Sequence, residues 1–298
     1  MKILIAGCGY LGTALGEKLV RLGDEVWGLR RDEEALKKNS EKGIQPFKAD
    51  LLAPDTLKNL PSVDIAILCQ GPSRKTDNHQ TTYQRATANL IKAFQAVRPK
   101  KVIFISSTSV YSTHDGSWVN EDTDPMKAGY ESKESEGNAR CLLEAEKTVL
   151  SSGIPSTVFR LAGIYGPDRN RIRSLKEGRA RPSFSEMYSN RIHRDDIVSG
   201  ILLLMEKGNL EDIYIGADDC PSTLKEFYSW IYEELGLANR TAFRGEALEV
   251  EPDLLTSPHG TSFGKRCSNR KIKELGLDLR YPDFKKGYQE LIRNTLPV

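Results

Sequence analysis

The 298-residue sequence has no apolar run of membrane-spanning length. Its longest uninterrupted apolar stretches, such as Val102–Ile105 and Ile201–Met205, fall far short of the roughly 18 residues that cross a bilayer, so no transmembrane helix is expected. The start carries only Lys2 before Ile3-Leu4-Ile5-Ala6, too short for a signal peptide's apolar region and without its small-residue cleavage site. It reads as the first strand of a mature protein. Cysteine is scarce and unpatterned: Cys8, Cys69, Cys141, Cys220 and Cys267 are odd in number, far apart, and form no C-x-x-C. Neither a disulfide framework nor a metal site is expected, and a reducing, cytoplasmic location follows. Charge of one sign is also lacking, because 43 Lys and Arg meet 41 Asp and Glu for a net +2. No global field suits nucleic acid or an anionic membrane, and neither is expected as a partner. There is no internal repeat and no low-complexity tract.

What is present is a folded composition, 39% apolar with 24 glycines. The length fits two domains or one large α/β unit. The first two-thirds alternate short β-branched runs with amphipathic stretches, the pattern of βαβ units and a parallel sheet. Strands are predicted at Ile3–Ala6, Glu25–Leu29, Gln45–Lys48, Ile65–Leu68, Val102–Ser106, Thr157–Leu161 and Asp212–Ile215. Several are apolar without alternation, as strands covered on both faces are. Helices are predicted at Leu11–Leu22, Glu33–Lys42, Thr56–Asn59, Thr82–Val97, Ala139–Leu150 and Asp196–Glu206, the fifth stopped by Gly153 and Pro155. Beyond residue 216 the alternation ceases. Thr223-x-x-Glu226 reads as a capping box opening a helix to Leu235, and helical stretches near Asn269–Leu275 and Asp283–Arg293 follow.

Gly7-Cys8-Gly9-Tyr10-Leu11-Gly12 directly follows a strand and opens a helix, the context that the G-x-G-x-x-G dinucleotide fingerprint requires. The first glycine permits the turn, the second admits a pyrophosphate to the backbone, and the third allows close helix packing. At the end of the second strand, where a carboxylate would hold the adenosine ribose of NAD, stand Arg30 and Arg31. Two guanidiniums suit the 2′-phosphate of NADP, which is therefore the preferred cofactor over NAD. The competing reading makes Asp32 the ribose acid, although Asp32 also suits a helix N-cap.

At this point the residues resemble the NAD(P)-dependent epimerase/dehydratase family, the extended short-chain dehydrogenase/reductases. The resemblance rests on the glycine motif, Ala49-Asp50-Leu51, the run Val102 to Tyr111, Phe159-Arg160-Leu161-Ala162-Gly163-Ile164-Tyr165-Gly166-Pro167, and Arg191-Ile192-His193-Arg194-Asp195-Asp196-Ile197. It implies a Rossmann-like doubly wound parallel sheet with a smaller C-terminal substrate portion. The cofactor domain would take residues 1–165 and 195–217, the substrate portion 166–194 and 218–298. It implies contacts to the adenosine from Asp50 and Leu51 and to the nicotinamide from Tyr165, a substrate-holding Ser107, a substrate contact or structural link at His193, and a helix N-cap at Asp195 or Asp196. A homodimer through helices flanking the sheet is also implied.

The family's Tyr-x-x-x-Lys pair, where Tyr moves the proton and Lys lowers its pKa, is not in its place. The window holds Gly129-Tyr130-Glu131-Ser132-Lys133, one residue short, and then a stretch from Gly137 to Glu146 resembling an atypical subgroup. Three readings stand. Tyr130 and Lys133 converge as an i,i+3 pair on a helix; or Arg140 supplies a fixed charge beside Ser107 and Tyr111; or the helix is structural, with Arg140 paired to Glu144 and Glu146 solvated. The implied activity is oxidoreductase or epimerase/dehydratase chemistry on a small hydroxylated metabolite, nucleotide-linked or phosphorylated. Arg169, Arg171, Arg173, Arg179 and Arg181 could clamp such a phosphate, or be solvated. A non-catalytic NADP(H) sensor is the alternative.

Overall fold

Each of the seven apolar runs becomes a strand of one parallel sheet. A computed structural model of the chain describes residues 1–72, 78–130, 132–180, 182–237, 256–257, 260–261 and 263–294. The strands are β1 (Lys2–Ala6), β2 (Glu25–Arg30), β3 (Gln45–Lys48), β4 (Ile65–Leu68), β5 (Lys101–Ser107), β6 (Ser156–Leu161) and β7 (Asp212–Gly216). They lie in the spatial order β7-β6-β5-β4-β1-β2-β3. The chain runs outward from β1 to β3, then crosses back to β4 on the other side of β1. That reversal is the topological switch point of a doubly wound sheet, where ligands bind at the carboxyl ends of the strands.

Helices cover both faces. They are α1 (Tyr10–Arg21), α2 (Glu33–Ser40), α3 (Ala86–Val97), α4 (Lys133–Leu150), α5 (Ile172–Lys176), α6 (Arg194–Lys207), α7 (Leu224–Glu234), α8 (Arg270–Leu275) and α9 (Phe284–Arg293). Alternate residues of β1 serve opposite cores: Ile3 and Ile5 pack with Leu15 of α1 and Ile201 of α6, whereas Leu4 and Ala6 pack with Leu90 and Phe94 of α3. This two-sided burial is why the strand reads as a continuous apolar run. A third, aromatic core joins α5, α7 and α9 through Ile172, Leu175, Phe227, Tyr228, Phe284 and Tyr288. The insertion after Tyr165 and the C-terminal segment therefore share one cluster.

The sequence misplaces some boundaries. α4 begins at Lys133, six residues before the predicted start, because Ser132 caps it by accepting from Ser135 N at 3.0 Å and Glu134 and Glu136 favour its first turn. The stretch predicted from Thr82 starts as a π-helix at Gln80–Arg85 before α3, and Thr56–Asn59 is a 3₁₀ turn, Pro54–Leu57. α7 opens with the capping box as expected: Thr223 Oγ1 accepts from Glu226 N at 3.1 Å while Glu226 Oε2 accepts from Thr223 N at 2.8 Å. A second small sheet escapes the sequence entirely. Its short strands Ser222–Thr223, Tyr188–Ser189, Gly264–Cys267 and Asp115–Val119 come from four separate stretches. No helix among the described residues is long and apolar enough to cross a membrane.

Candidate active site

A cavity of about 1170 Å³ opens at the switch point, walled by the glycine loop, the ends of β2, β4, β5 and β6, and the small sheet. The glycines divide their work. Gly7 has φ +83°, and a Cβ there would stand 2.6 Å from Gln70 Cα and N, so glycine lets the ends of β1 and β4 meet. Gly12 lets α1 pack on the sheet, since a Cβ would come within 2.9 Å of Ile5 Cγ2. Gly9 differs: a Cβ there would meet nothing nearer than Gly7 O at 3.9 Å, so the missing side chain is a vacancy toward the cavity. α1 has no side-chain cap, and its first residues Tyr10 and Leu11 line the wall. Backbone donors, the positive end of the helix dipole and a cradle without a Cβ together fit a dinucleotide pyrophosphate.

Arg30 and Arg31 stand on the wall with Asp32, Asp50 and Leu51. Arg30 Nη1 donates to Cys8 O at 3.2 Å, which ties its guanidinium to the glycine loop. Asp32 is engaged as the N-cap of α2, its Oδ1 accepting from Ala35 N at 2.7 Å. Asp50 Oδ1 accepts from Leu52 N at 2.9 Å, and Leu51 O from Asn89 Nδ2 at 2.8 Å, fixing that turn.

Ser107 ends β5 at the inner end of the cavity, its Oγ accepting from Ser109 N at 3.1 Å. The residues predicted around it do not join it. Tyr130 precedes α4 rather than riding on it, and its hydroxyl donates to Val110 O at 2.6 Å, so the i,i+3 helical pairing with Lys133 fails. Lys133 is exposed and absent from the wall. Arg140 pairs with Glu136, one turn before it, at 2.6 Å, and not with Glu144. Glu146 is not solvated. It lies buried beneath the site, bonded by Arg160 Nη2 at 2.6 Å and Ser106 Oγ at 2.6 Å, while Arg160 Nη1 donates to Tyr111 Oη at 2.8 Å.

Two further placements depart from the sequence. Ile164 lines the cavity, but the pleat turns the next residue, Tyr165, to the opposite face, where it stacks on Tyr288 with centroids 5.2 Å apart. Tyr165 is therefore a core residue of the aromatic cluster and is not on the cavity wall. His193 is buried, 3.9 Å from Tyr281 between ring centroids, and is itself the N-cap of α6 in place of the predicted aspartates, its Nδ1 accepting from Asp195 N at 3.2 Å. It too is off the wall and serves as the structural link. Asp196 instead accepts from Arg280 N at 2.8 Å and Tyr281 N at 3.1 Å. Of the insertion arginines, Arg181 lies outside the described residues; among the four described, Arg173 and Arg179 pair with Glu177 on the surface and Arg169 alone is on the wall.

The buried cap has a consequence for stability. Burial pushes the His193 imidazole down to about 4 and the Asp196 carboxyl up to about 6. A lowered histidine loses stability as pH falls below its unfolded value of about 6.5. A raised aspartate gains it over the same range, so the two oppose one another. His193→Asn keeps a capping acceptor and removes one slope. Relative to wild type it should gain about 2 kcal/mol on moving from pH 7 to pH 4.5. Parallel denaturant-melt profiles for the two proteins over that range would refute this.

The wall also includes Gln70, Tyr83, His114, Tyr188, Asn190 and Lys265, none predicted as site residues. Gln70 follows the carboxyl end of β4, where the strand-end rule points. Lys265 arrives from the far end of the chain, its Nζ donating to Tyr111 O at 3.0 Å, and Asn190 Nδ2 holds it by donating to Lys265 O at 2.9 Å.

A doubly wound sheet with an uncapped glycine-loop helix at its switch point defines a dinucleotide-binding α/β protein. The chain belongs to the NAD dependent epimerase/dehydratase family, whose sequence model matches residues 3–216. It is 27% identical to Protein YeeZ of Escherichia coli over 293 residues, 95% of this chain and 97% of that protein. A Methylobacillus flagellatus protein provisionally described as an NAD-dependent epimerase/dehydratase superposes with a TM-score of 0.76 at 29% identity, covering 98% of each chain. A ketoreductase of Stigmatella aurantiaca, acting on 4-hydroxy-2-methyl-3-oxo-4-farnesyl-3,4-dihydroquinoline-1-oxide, is 25% identical over 249 residues, 78% of this chain and 72% of that protein.

Proposed function

We propose that the protein is an NADP(H)-dependent oxidoreductase that interconverts a carbonyl and a hydroxyl on a small metabolite. The observation that carries this reading is the single cavity running from Arg30 and Arg31, past the glycine loop, to Ser107. The cofactor, when bound, supplies or accepts the hydride. Arg30 and Arg31 favour a 2′-phosphate because two guanidiniums outweigh the one carboxylate beside them, Asp32, whose Oδ1 is already engaged as the cap of α2 although the residue lines the cavity. Ser107 orients the reacting oxygen of the substrate. With no tyrosine of α4 on the wall, the proton falls to one of the ionisable groups that are there, among them Tyr83, His114, Tyr188 and Lys265. The likeness to a ketoreductase supports carbonyl reduction among the reactions of the family.

Binding without turnover is the second reading, favoured by the placement of Tyr130, Lys133 and Arg140 off the wall. Loss of NADPH absorbance across a panel of aldehydes, ketones and keto sugars separates the two. Sustained turnover that falls about 100-fold or more in Ser107→Ala is the expected result. Tight NADPH binding with no turnover on any carbonyl would favour the sensor.

A further inference from the structure

Arg169 follows a loop whose shape is fixed against α1. Gly166 and Arg169 exchange backbone hydrogen bonds, each N–H donating to the other's carbonyl at 3.1 Å, and Asp168 between them sits at φ +60°. The loop presses on Tyr10: a Cβ on Gly166 would stand 2.8 Å from Tyr10 Oη, and φ +152° there also favours glycine. That hydroxyl is buried and has no hydrogen-bond partner among the described residues. The Tyr10 ring carries two guanidiniums, Arg169 Cζ at 5.6 Å and Arg194 Cζ at 5.3 Å from its centroid. Their charges are not equivalent. Arg194 is neutralised by Asp195 at 3.1 Å, whereas Arg169 meets no carboxylate among the described residues and lines the cavity.

Tyr10 is the first residue of α1, so this uncompensated cation stands over the same uncapped helix end whose donors face the Gly9 vacancy. Two like-signed sources, the helix dipole and a guanidinium, converge on one place and together favour an anion there. Resting on the dinucleotide reading of the cavity, we propose that Arg169 closes over the cofactor pyrophosphate, held in position by the Tyr10 ring. It is a cofactor-binding residue rather than the substrate contact its sequence position implied. A guanidinium on the pyrophosphate acts on a group common to both cofactors. It sets affinity without setting the choice between NADPH and NADH, which is left to Arg30 and Arg31.

The test is binding, read from nicotinamide fluorescence with NADPH and NADH and by displacement with adenosine 2′-monophosphate, which has no pyrophosphate. Arg169→Ala should weaken NADPH and NADH by the same factor, about 10- to 100-fold, and change adenosine 2′-monophosphate less than twofold. Arg169→Lys, which keeps the charge and loses the planar fork, should fall between. Arg30→Ala should show the opposite signature, weakening NADPH and the monophosphate and sparing NADH. Dinucleotide affinities within twofold of wild type in Arg169→Ala, or a loss confined to one cofactor, would overturn the assignment. A wild-type protein that binds neither dinucleotide would instead overturn the cofactor reading beneath it. Arg169 is exposed, and unchanged thermal melting of the variant certifies its fold.

Discussion

Gly9→Val should melt within about 2 °C of wild type yet bind NADPH at least about 100-fold more weakly. The two halves of that expectation come from one measurement of space. Its chain neighbours aside, a Cβ at Gly9 meets no atom closer than Gly7 O at 3.9 Å, so the fold leaves room for a side chain there. The same vacancy faces the cavity, and a branched side chain in it would hold a pyrophosphate away from the first-turn amides of α1. Losing two charge-assisted hydrogen bonds at about 1.5–3 kcal/mol each gives the stated factor. Gly7→Ala is the control with the opposite profile, because its Cβ would strike the Gln70 backbone at 2.6 Å and φ is +83°. It should lower the melting temperature first. Equal binding by Gly9→Val and wild type in a fluorescence titration would show that no ligand approaches the loop.

The half of the cavity around the glycine loop is readable in the sequence because its parts are local. Strands buried on both faces appear as apolar runs, and the glycine loop, Arg30 and Asp32 lie within one βαβ unit, so spacing alone orders them. The opposite half is assembled from distance. Lys265 reaches the carbonyl of Tyr111 across 154 residues, and Asn190 fixes Lys265 across 75, through a sheet of short strands that has no periodic signature. Tyr165 shows a different limit. Its neighbour Ile164 is on the wall, and the alternation of a strand places one residue in the site and the next behind it, a matter of register that a motif match does not resolve. Glu146 shows a related limit: a single acid on an amphipathic helix reads as solvated, as in one of the three readings, until the buried arginine of a strand is placed opposite it.

That pairing makes Glu146 the position where one substitution should cost most in stability. Glu146 and Arg160 are each only 4% exposed, and the carboxylate also accepts from Ser106. Burial pulls the Arg160 guanidinium toward losing its proton, but the carboxylate and the Tyr111 hydroxyl more than offset this and hold it raised and charged. Glu146→Ala leaves that charge buried without its counterion, a loss of about 3–5 kcal/mol, or on the order of 10 °C in melting temperature. The pair binds α4 to β6 directly beneath Ser107, with Ser106 on one side of that residue and Tyr111 at the end of the following turn. Loosening it should therefore reduce turnover more than cofactor binding, since the glycine loop lies on other elements. Removing both charges together, as Glu146→Leu with Arg160→Met, should recover most of the lost stability, because an apolar pair carries no desolvation cost. It should not recover the positioning, because Ser106 and Tyr111 would still lack their partners. A double variant as unstable as the sum of the two singles would show that packing volume, and not the uncompensated charge, sets the cost.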